Sequence, residues 1–195
     1  MMISGTDKRA YNVTRNIGAV CNGMVPDGRC QINRAREEAA QYETNFGIKI
    51  PGCVLADRMA LQFQMHTIYS SYRPYGTSLV MATHDMIKGP QLWMIEPSGQ
   101  CFEYYGCASG RGKQLARNEI DKGKFREQTV EESLPKIAKM LLKSQEEMKD
   151  KKQELELMYM STGTNWVSKI VDRVTSDRMC ATAMDQIKNE DEEMN

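Results

Sequence analysis

Two helical apolar patterns stand back to back over residues 26–72, and three strand patterns stand back to back over residues 77–107. This segregation constrains the fold more than any single motif. A parallel sheet needs a long crossover, usually a helix, between successive strands. Paired helices followed by closely spaced strands lead instead to antiparallel sheets with helical layers on them, the α+β class.

Residues 10–23 are rich in β-branched and small side chains, end at Gly23 and read as strand material. Pro26-Asp-Gly28 then opens a helix whose Ile32, Ala35, Ala39, Tyr42 and Phe46 recur at three- and four-residue steps, with Gly47 closing it. A second helix starts after Pro51-Gly52 and carries two stripes. Leu55, Met59 and Phe63 form one; Leu61, Met65, Ile68 and Tyr72 form the other. Two apolar faces predict a helix held between a sheet and a neighbour, and Pro74 is its expected stop. Strands are predicted over 77–83, 92–95 and 101–107, with Glu96-Pro-Ser-Gly99 as the hairpin turn between the last two.

Helices are expected over 112–122 and from Thr129-Val-Glu-Glu132, where threonine and glutamate cap each other's free amides. The stripe of that second helix is Val130, Leu134, Ile137, Leu141 and Met148. Residues 154–160 alternate as a half-wet strand, and 172–188 form a last helix. The charge-rich run 146–156 reads as the solvated end of a helix and a strand edge. One domain over 1–188 is expected, with 189–195 as a disordered acidic tail.

Charge narrows the partners. Lysine plus arginine and aspartate plus glutamate number 26 each, so there is no basic excess to neutralise phosphates or a membrane surface. No apolar run approaches a membrane span, and an intracellular protein is expected. The six cysteines, Cys21, Cys30, Cys53, Cys101, Cys107 and Cys180, form no CxxC pair. With only His66 and His84 beside them, reduced cysteines and no metal site are expected.

Gly106-Cys-Ala-Ser-Gly-Arg-Gly-Lys-Gln-Leu115 invites comparison with a phosphate-binding loop. Such a loop has four residues between its first glycine and the Gly-Lys pair, then a hydroxyl to hold magnesium. Here Gly106 precedes Gly112-Lys113 by one residue too many, and Gln114 occupies the hydroxyl position. The stretch is predicted to be a turn, with Ser109 as helix cap and no bound cofactor. Ser71, His84 and Asp85 compose a nucleophile and base only on paper. Tyr69, Tyr72 and Tyr75 have only Arg73 beside them, which favours packing over base stacking.

Five stretches stand out together: Asn22-Gly-Met-Val-Pro-Asp-Gly-Arg29, Ala35-Arg-Glu-Glu-Ala39, Leu55-Ala-Asp-Arg58, Tyr72-Arg-Pro-Tyr-Gly-Thr-Ser78 and Ile95-Glu-Pro-Ser-Gly99. In this order they resemble the alpha-type subunits of the proteasome, over nearly the whole chain from about Lys8. The resemblance implies a four-layer αββα sandwich of the N-terminal-nucleophile hydrolase kind. It also implies a non-catalytic subunit of the 20S core particle's seven-membered alpha ring. Such subunits contact neighbouring alpha subunits and the beta ring, restrict substrate entry and dock the regulatory particle or other activators. They serve ubiquitin-dependent and ubiquitin-independent degradation in cytoplasm and nucleus. No cofactor, metal, nucleic acid or membrane is implied.

Two departures accompany the resemblance. The family's opening helix and first strands have no counterpart, so the gate does not carry over, and an incomplete gene model or a shortened subunit is expected. Pro26 and Gly28 also replace the alanines usual around Asp27. The family's activator-pocket lysine maps to Lys8, or to Arg9 with a one-residue slip; an ordinary surface Lys-Arg pair is the alternative. Asp27, Arg29, Arg73, Pro74, Tyr75 and Gly76 are the motif positions, bracing a helix-to-strand corner or an interface. The rival classes are a threonine protease of the same superfold, which needs an amino-terminal threonine (Thr6 lies well inside the family's alignment), and a nucleotide-binding protein using Lys113.

Overall fold

The computed structural model describes residues 7–144 and 154–193. Met148, Thr6 and residues 146–153 of the charged run lie outside the described residues. Contacts group the chain into two compact units, Met1–Tyr105 with Met160–Lys169, and Gly106–Tyr159 with Ile170–Asn195.

The first unit is built on a five-stranded antiparallel sheet in sequential order: β1 (Ala10–Thr14), β2 (Ile17–Gly23), β3 (Thr77–Asp85), β4 (Gly89–Ile95) and β5 (Cys101–Tyr104). The predicted single run over 10–23 is thus a hairpin, turning at Arg15 and Asn16 with a register shift between Asn12 and Thr14. That turn lacks the Asn-Gly or Asp-Gly pair that marks tight hairpins in sequence. β5 ends at Tyr104, short of the predicted 107, because Gly106 already belongs to the turn. The Glu96-to-Gly99 turn forms as expected: the Gly99 amide donates to the Glu96 carbonyl at 2.9 Å, with Gly99 at φ 88°.

Two helices, α1 (Val25–Phe46) and α2 (Gly52–Ile68), follow β2 in sequence and cover one face of the sheet. α1 runs through the predicted stripe, with Ile32, Ala35 and Ala39 buried and Gly47 closing it at φ 70°. In α2 the stripe Leu55, Met59 and Phe63 is fully buried against Ile17, Ala19, Leu79, Met81 and Ile95. The second stripe, Leu61, Met65 and Ile68, stands exposed. α2 ends at Ile68 and not at Pro74, and Tyr69 is already extended. Tyr72 is therefore off the helix.

Strand pairing lays two apolar rows across the opposite face of the sheet. Val20 pairs with Val80, Val80 with Met94, and Met94 with Phe102; beside them Gly18, Ala82, Leu92 and Tyr104 pair in turn. Residues 160–169 return to this face. Trp166 stacks on His84 at 4.0 Å and 15°, and the Ser168 hydroxyl donates to Asn12 Oδ1 at 3.0 Å. Apart from the five-stranded sheet, the strands among the described residues are the two-residue β6 (Met158–Tyr159) and β7 (Lys169–Ile170). Of the predicted strand over 154–160, only β6 forms.

The second unit carries α3 (Lys113–Gly123), α4 (Val130–Lys143) and α5 (Arg173–Glu193). At Thr129 the predicted reciprocal cap is present. Its amide donates to Glu132 Oε2 at 3.0 Å, and the Glu132 amide donates to Thr129 Oγ1 at 3.4 Å. The buried line of α4 is Ala138 and Leu142, one residue round from the predicted Ile137 and Leu141, which are half-buried. Leu142 packs with Cys180 and Ala183 of α5. The contact of Leu142 with Cys180 and Ala183 turns this line of α4, and not the line of Ile137 and Leu141, toward α5. α5 includes residues 189–193, where an irregular tail was expected.

Candidate functional site: the Asp27 corner

The motif residues meet where β2 gives way to α1 and the chain enters β3. Asp27 lies in the first turn of α1 and is 7% exposed. Arg73 holds it in a fork: Nη1 donates to Oδ2 and Nη2 to Oδ1, both at 2.7 Å. The Gly76 amide adds a third bond to Oδ2 at 2.9 Å. Paired parallel bonds of this kind are the strong form of the arginine–carboxylate contact. The Arg73 fork, backed by the Gly76 amide, holds the Asp27 carboxyl down at about 2, although burial opposes the shift.

Backbone contacts tie the same corner. The Met24 amide donates to the Gly76 carbonyl at 3.0 Å, and Gly23 pairs with Thr77. Gly23 sits at φ 132°, and a Cβ there would lie 2.1 Å from the Gly76 oxygen. Only glycine lets the two segments come this close. Pro74 contributes its carbonyl, which accepts from Arg73 Nη1 at 3.1 Å. Tyr75 turns inward, its ring 5.2 Å from Phe63 and 4.2 Å from His66. Burial pushes the Tyr75 hydroxyl up, against a hydrogen bond with Gln62. The Tyr72 ring also lies near His66, at 4.9 Å. The structure therefore brings Asp27, Arg73, Pro74, Tyr75 and Gly76 together, while Arg29 lies exposed further along α1.

Arg9 reaches the edge of this corner, Nη1 donating to the Gly23 carbonyl at 2.9 Å. Lys8 precedes β1, and its carbonyl accepts from the Tyr11 hydroxyl at 2.5 Å. Among the described residues, the Lys8 ammonium has neither a hydrogen bond nor an ion pair. The two candidates for the activator pocket thus differ: one guanidinium is tied to the backbone, and one ammonium is open.

The remaining sequence candidates fall elsewhere. His84 stacks on Trp166, and Asp85 Oδ1 accepts from the Ile87 and Lys88 amides, so neither is arranged around Ser71. The glycine-rich stretch is a turn leading into α3, capped by Gly112 without a side-chain bond; Ser109 is not the cap. Among the described residues, no group of three His, Cys, Asp or Glu side chains is arranged to hold a metal ion. Nor, among the described residues, is any helix long and apolar enough to cross a membrane. The end of β3 at Asp85 in a turn is as the sequence leads one to expect, whereas the tilted His66–Tyr75 contact is not. That contact has no signal in the sequence, since it depends on where the chain leaving α2 lies against the helix.

An antiparallel sheet carrying a helix pair, with further helices in a second unit, is an α+β fold that suits the N-terminal-nucleophile hydrolase-like class. The sequence pattern of the family described as "Proteasome subunit" matches residues 1–160, and the chain belongs to that family. It is similar to "Proteasome subunit alpha type-3" of Dictyostelium discoideum, 39% identical over 189 residues, covering 97% of this chain and 76% of the relative. Its similarity to the alpha type-3 subunit of Spinacia oleracea is 40% over 160 residues, covering 82% of this chain and 64% of the relative. A "Probable proteasome subunit alpha type-7" of Schizosaccharomyces pombe is 38% identical over 161 residues, 83% of this chain and 63% of that one. The chain thus spans roughly two thirds to three quarters of these relatives.

Proposed function

We propose that this chain is a non-catalytic alpha-ring subunit of the 20S core particle, acting through contacts with neighbouring alpha subunits and the beta ring. It supports ring assembly, restricted entry of substrates and docking of activators in protein degradation. The observation that carries this reading is its similarity to alpha type-3 subunits across 97% of its length. The geometry agrees in kind: the most strongly bonded polar cluster, Asp27 with Arg73 and Gly76, closes on itself and braces a corner.

The finer architecture follows the same reading. The two apolar rows across the second face of the sheet suit the interior of a β-sandwich, whose inner faces pack with alternating residues. One alpha-type domain over 1–188 in an αββα arrangement is the resulting proposal, acting in cytoplasm and nucleus. Lys8 is the better candidate for meeting an activator's terminal carboxylate, since Arg9 already bonds Gly23. An open ammonium is free to make a charge-assisted bond.

Native purification of the endogenous protein, followed by mass measurement of the intact complex, tests the assignment. A complex containing proteasome alpha and beta subunits is expected. A free chain of 22.2 kDa would overturn it. Within the complex, Lys8→Ala is expected to weaken binding of an activator's C-terminal peptide while Arg9→Ala leaves it nearly unchanged; the reverse order would refute the choice of Lys8.

A further inference from the structure

We infer that residues 160–169 form a pH-sensitive strap, latched onto the sheet when His84 gains a proton. The His84 and Trp166 rings stack at 4.0 Å and 15°, and both are half-buried, so water reaches the imidazole. The electron-rich face of an aromatic ring attracts a cation, and tryptophan is the strongest such partner. A neutral imidazole stacks on that face by packing alone. Histidine is also the side chain whose ordinary titration falls between about pH 5 and 8. Protonation therefore strengthens a contact that the strap already makes. What the proton controls is access to the His84 end of the sheet's second face.

The surroundings leave His84 as the group that changes charge. Asp85 follows it on β3, and the Lys88 and Ile87 amides hold that carboxyl below the usual carboxylate range. Asp85 thus stays negative through the window, and its charge attracts the imidazolium beside it. Pro90, opposite His84 on β4, carries no charge. The other charged residues described here are Lys88 at the β3–β4 turn, Arg15 at the β1–β2 turn and Lys169 at the strap's end. Lysine and arginine ordinarily titrate far above this range, so the step falls to the histidine. The strap is poised to respond because backbone strain opposes its closure, with Asn165 at φ 50° and Trp166 at 58°. Besides the ring stack, the Ser168 amide and hydroxyl tie it to Arg15 and Asn12. Strengthening a contact made only in the closed state shifts the population toward that state. A cation over a half-buried indole changes the open fraction about fivefold.

Limited digestion of the full chain by proteinase K at pH 7.5 and pH 5.5 tests the latch. Rates are normalised to a synthetic peptide of residues 158–171, so that the protease's own pH dependence cancels. Cutting within 160–169 is expected to be about fivefold slower at pH 5.5 in the wild type. His84→Phe keeps a ring on Trp166 without a titrating nitrogen, so its rates should match at the two pH values. His66→Gln removes the other histidine and should leave the fivefold ratio unchanged. Equal wild-type rates would overturn the proposal, and so would a ratio that survives in His84→Phe or is lost in His66→Gln. A second measurement needs no substitution and so does not depend on a variant folding. Protection of the Ser168 amide against hydrogen exchange, corrected for the chemistry of free amides, should rise by the same factor from pH 7.5 to pH 5.5. Flat protection would refute the latch whatever the variants do.

Discussion

Arg73 and Asp27 lie 46 positions apart in sequence and form a two-bond fork at 2.7 Å, joining the entry of β3 to the first turn of α1. The pair is asymmetric: the Asp27 side chain is nearly buried, whereas Arg73 is 66% exposed. Water screens the charge attraction on the arginine side. The firmer part of the lock is the buried carboxylate accepting the Gly76 amide.

Asp27→Ala is therefore expected to destabilise the protein by about 1.5–3 kcal/mol, the scale of hydrogen bonds to a charged group. Asp27→Asn keeps an oxygen for Gly76 and loses the charge, so its cost should be smaller. Urea unfolding of the two variants measures both. An alanine variant as stable as the wild type would show that the corner is not bonded as described.

The same carboxylate sets an acid limit. Its folded value is about 2, against an ordinary aspartate near 3.8. A group depressed by folding binds its proton more readily in the unfolded chain, so its stabilising effect is complete above about pH 4. It fades as pH falls from 4 toward 2. Melting temperatures of wild type and Asp27→Asn should differ at pH 7 and converge over that window. A gap that stays constant to pH 2 would assign the acid sensitivity to other carboxylates.

How much of this corner was legible in the sequence can be argued from its parts. Asp27, Arg73 and Gly76 were recognised as positions in a motif, but nothing in residue spacing pairs positions 46 apart. Their meeting depends on β2 and β3 lying side by side. The stripe Leu55, Met59 and Phe63 was readable because helix periodicity alone sets which side chains share a face. The rotation of α4 was not, since it depends on Leu142 packing against a helix some forty residues further on. The hairpin at Arg15 and Asn16 was hidden because its turn uses neither glycine nor proline.

Gly23→Ala should be among the most damaging single changes. The new Cβ would meet the Gly76 oxygen at 2.1 Å, and the backbone would be forced to keep φ 132°. Neither atom of the clash is the end of a flexible side chain. A loss of more than about 2 kcal/mol is expected, read as a lowered melting temperature or insoluble expression. The comparison Gly47→Ala, which leaves nothing within 4 Å, should suffer only the cost of its positive φ.

The cysteines should separate by burial under a thiol-alkylating reagent. Cys21 is buried and its thiol is pushed up to about 12 by burial, against the opposing charge of Arg9. Burial likewise lifts Cys107 to about 11. The thiolate is the reactive form, so both should resist alkylation at pH 8 in the folded protein and react in denaturant. Cys30 is exposed on α1 and should be modified first. Mass mapping after short labelling reads the order, and early modification of Cys21 would contradict its place between β2 and α1.

Trp166 anchors the returning segment 160–169. It and Asn165 both have positive φ, 58° and 50°, a conformation that non-glycine residues adopt at a cost of roughly 1 kcal/mol or more each. That strain persists because three contacts oppose it: the stack on His84, the Ser168 amide on the Arg15 carbonyl at 2.9 Å, and the Ser168 hydroxyl on Asn12. Trp166→Ala removes the first and leaves the strain, so the segment should open more often while the helix-covered core stays intact. Limited proteolysis should then cut within 160–169 several times faster than in the wild type, at nearly unchanged global stability. Asn165→Gly should do the opposite, because glycine relieves the strain without touching the stack. If both variants are cut at the wild-type rate, the segment is held by something other than the tryptophan.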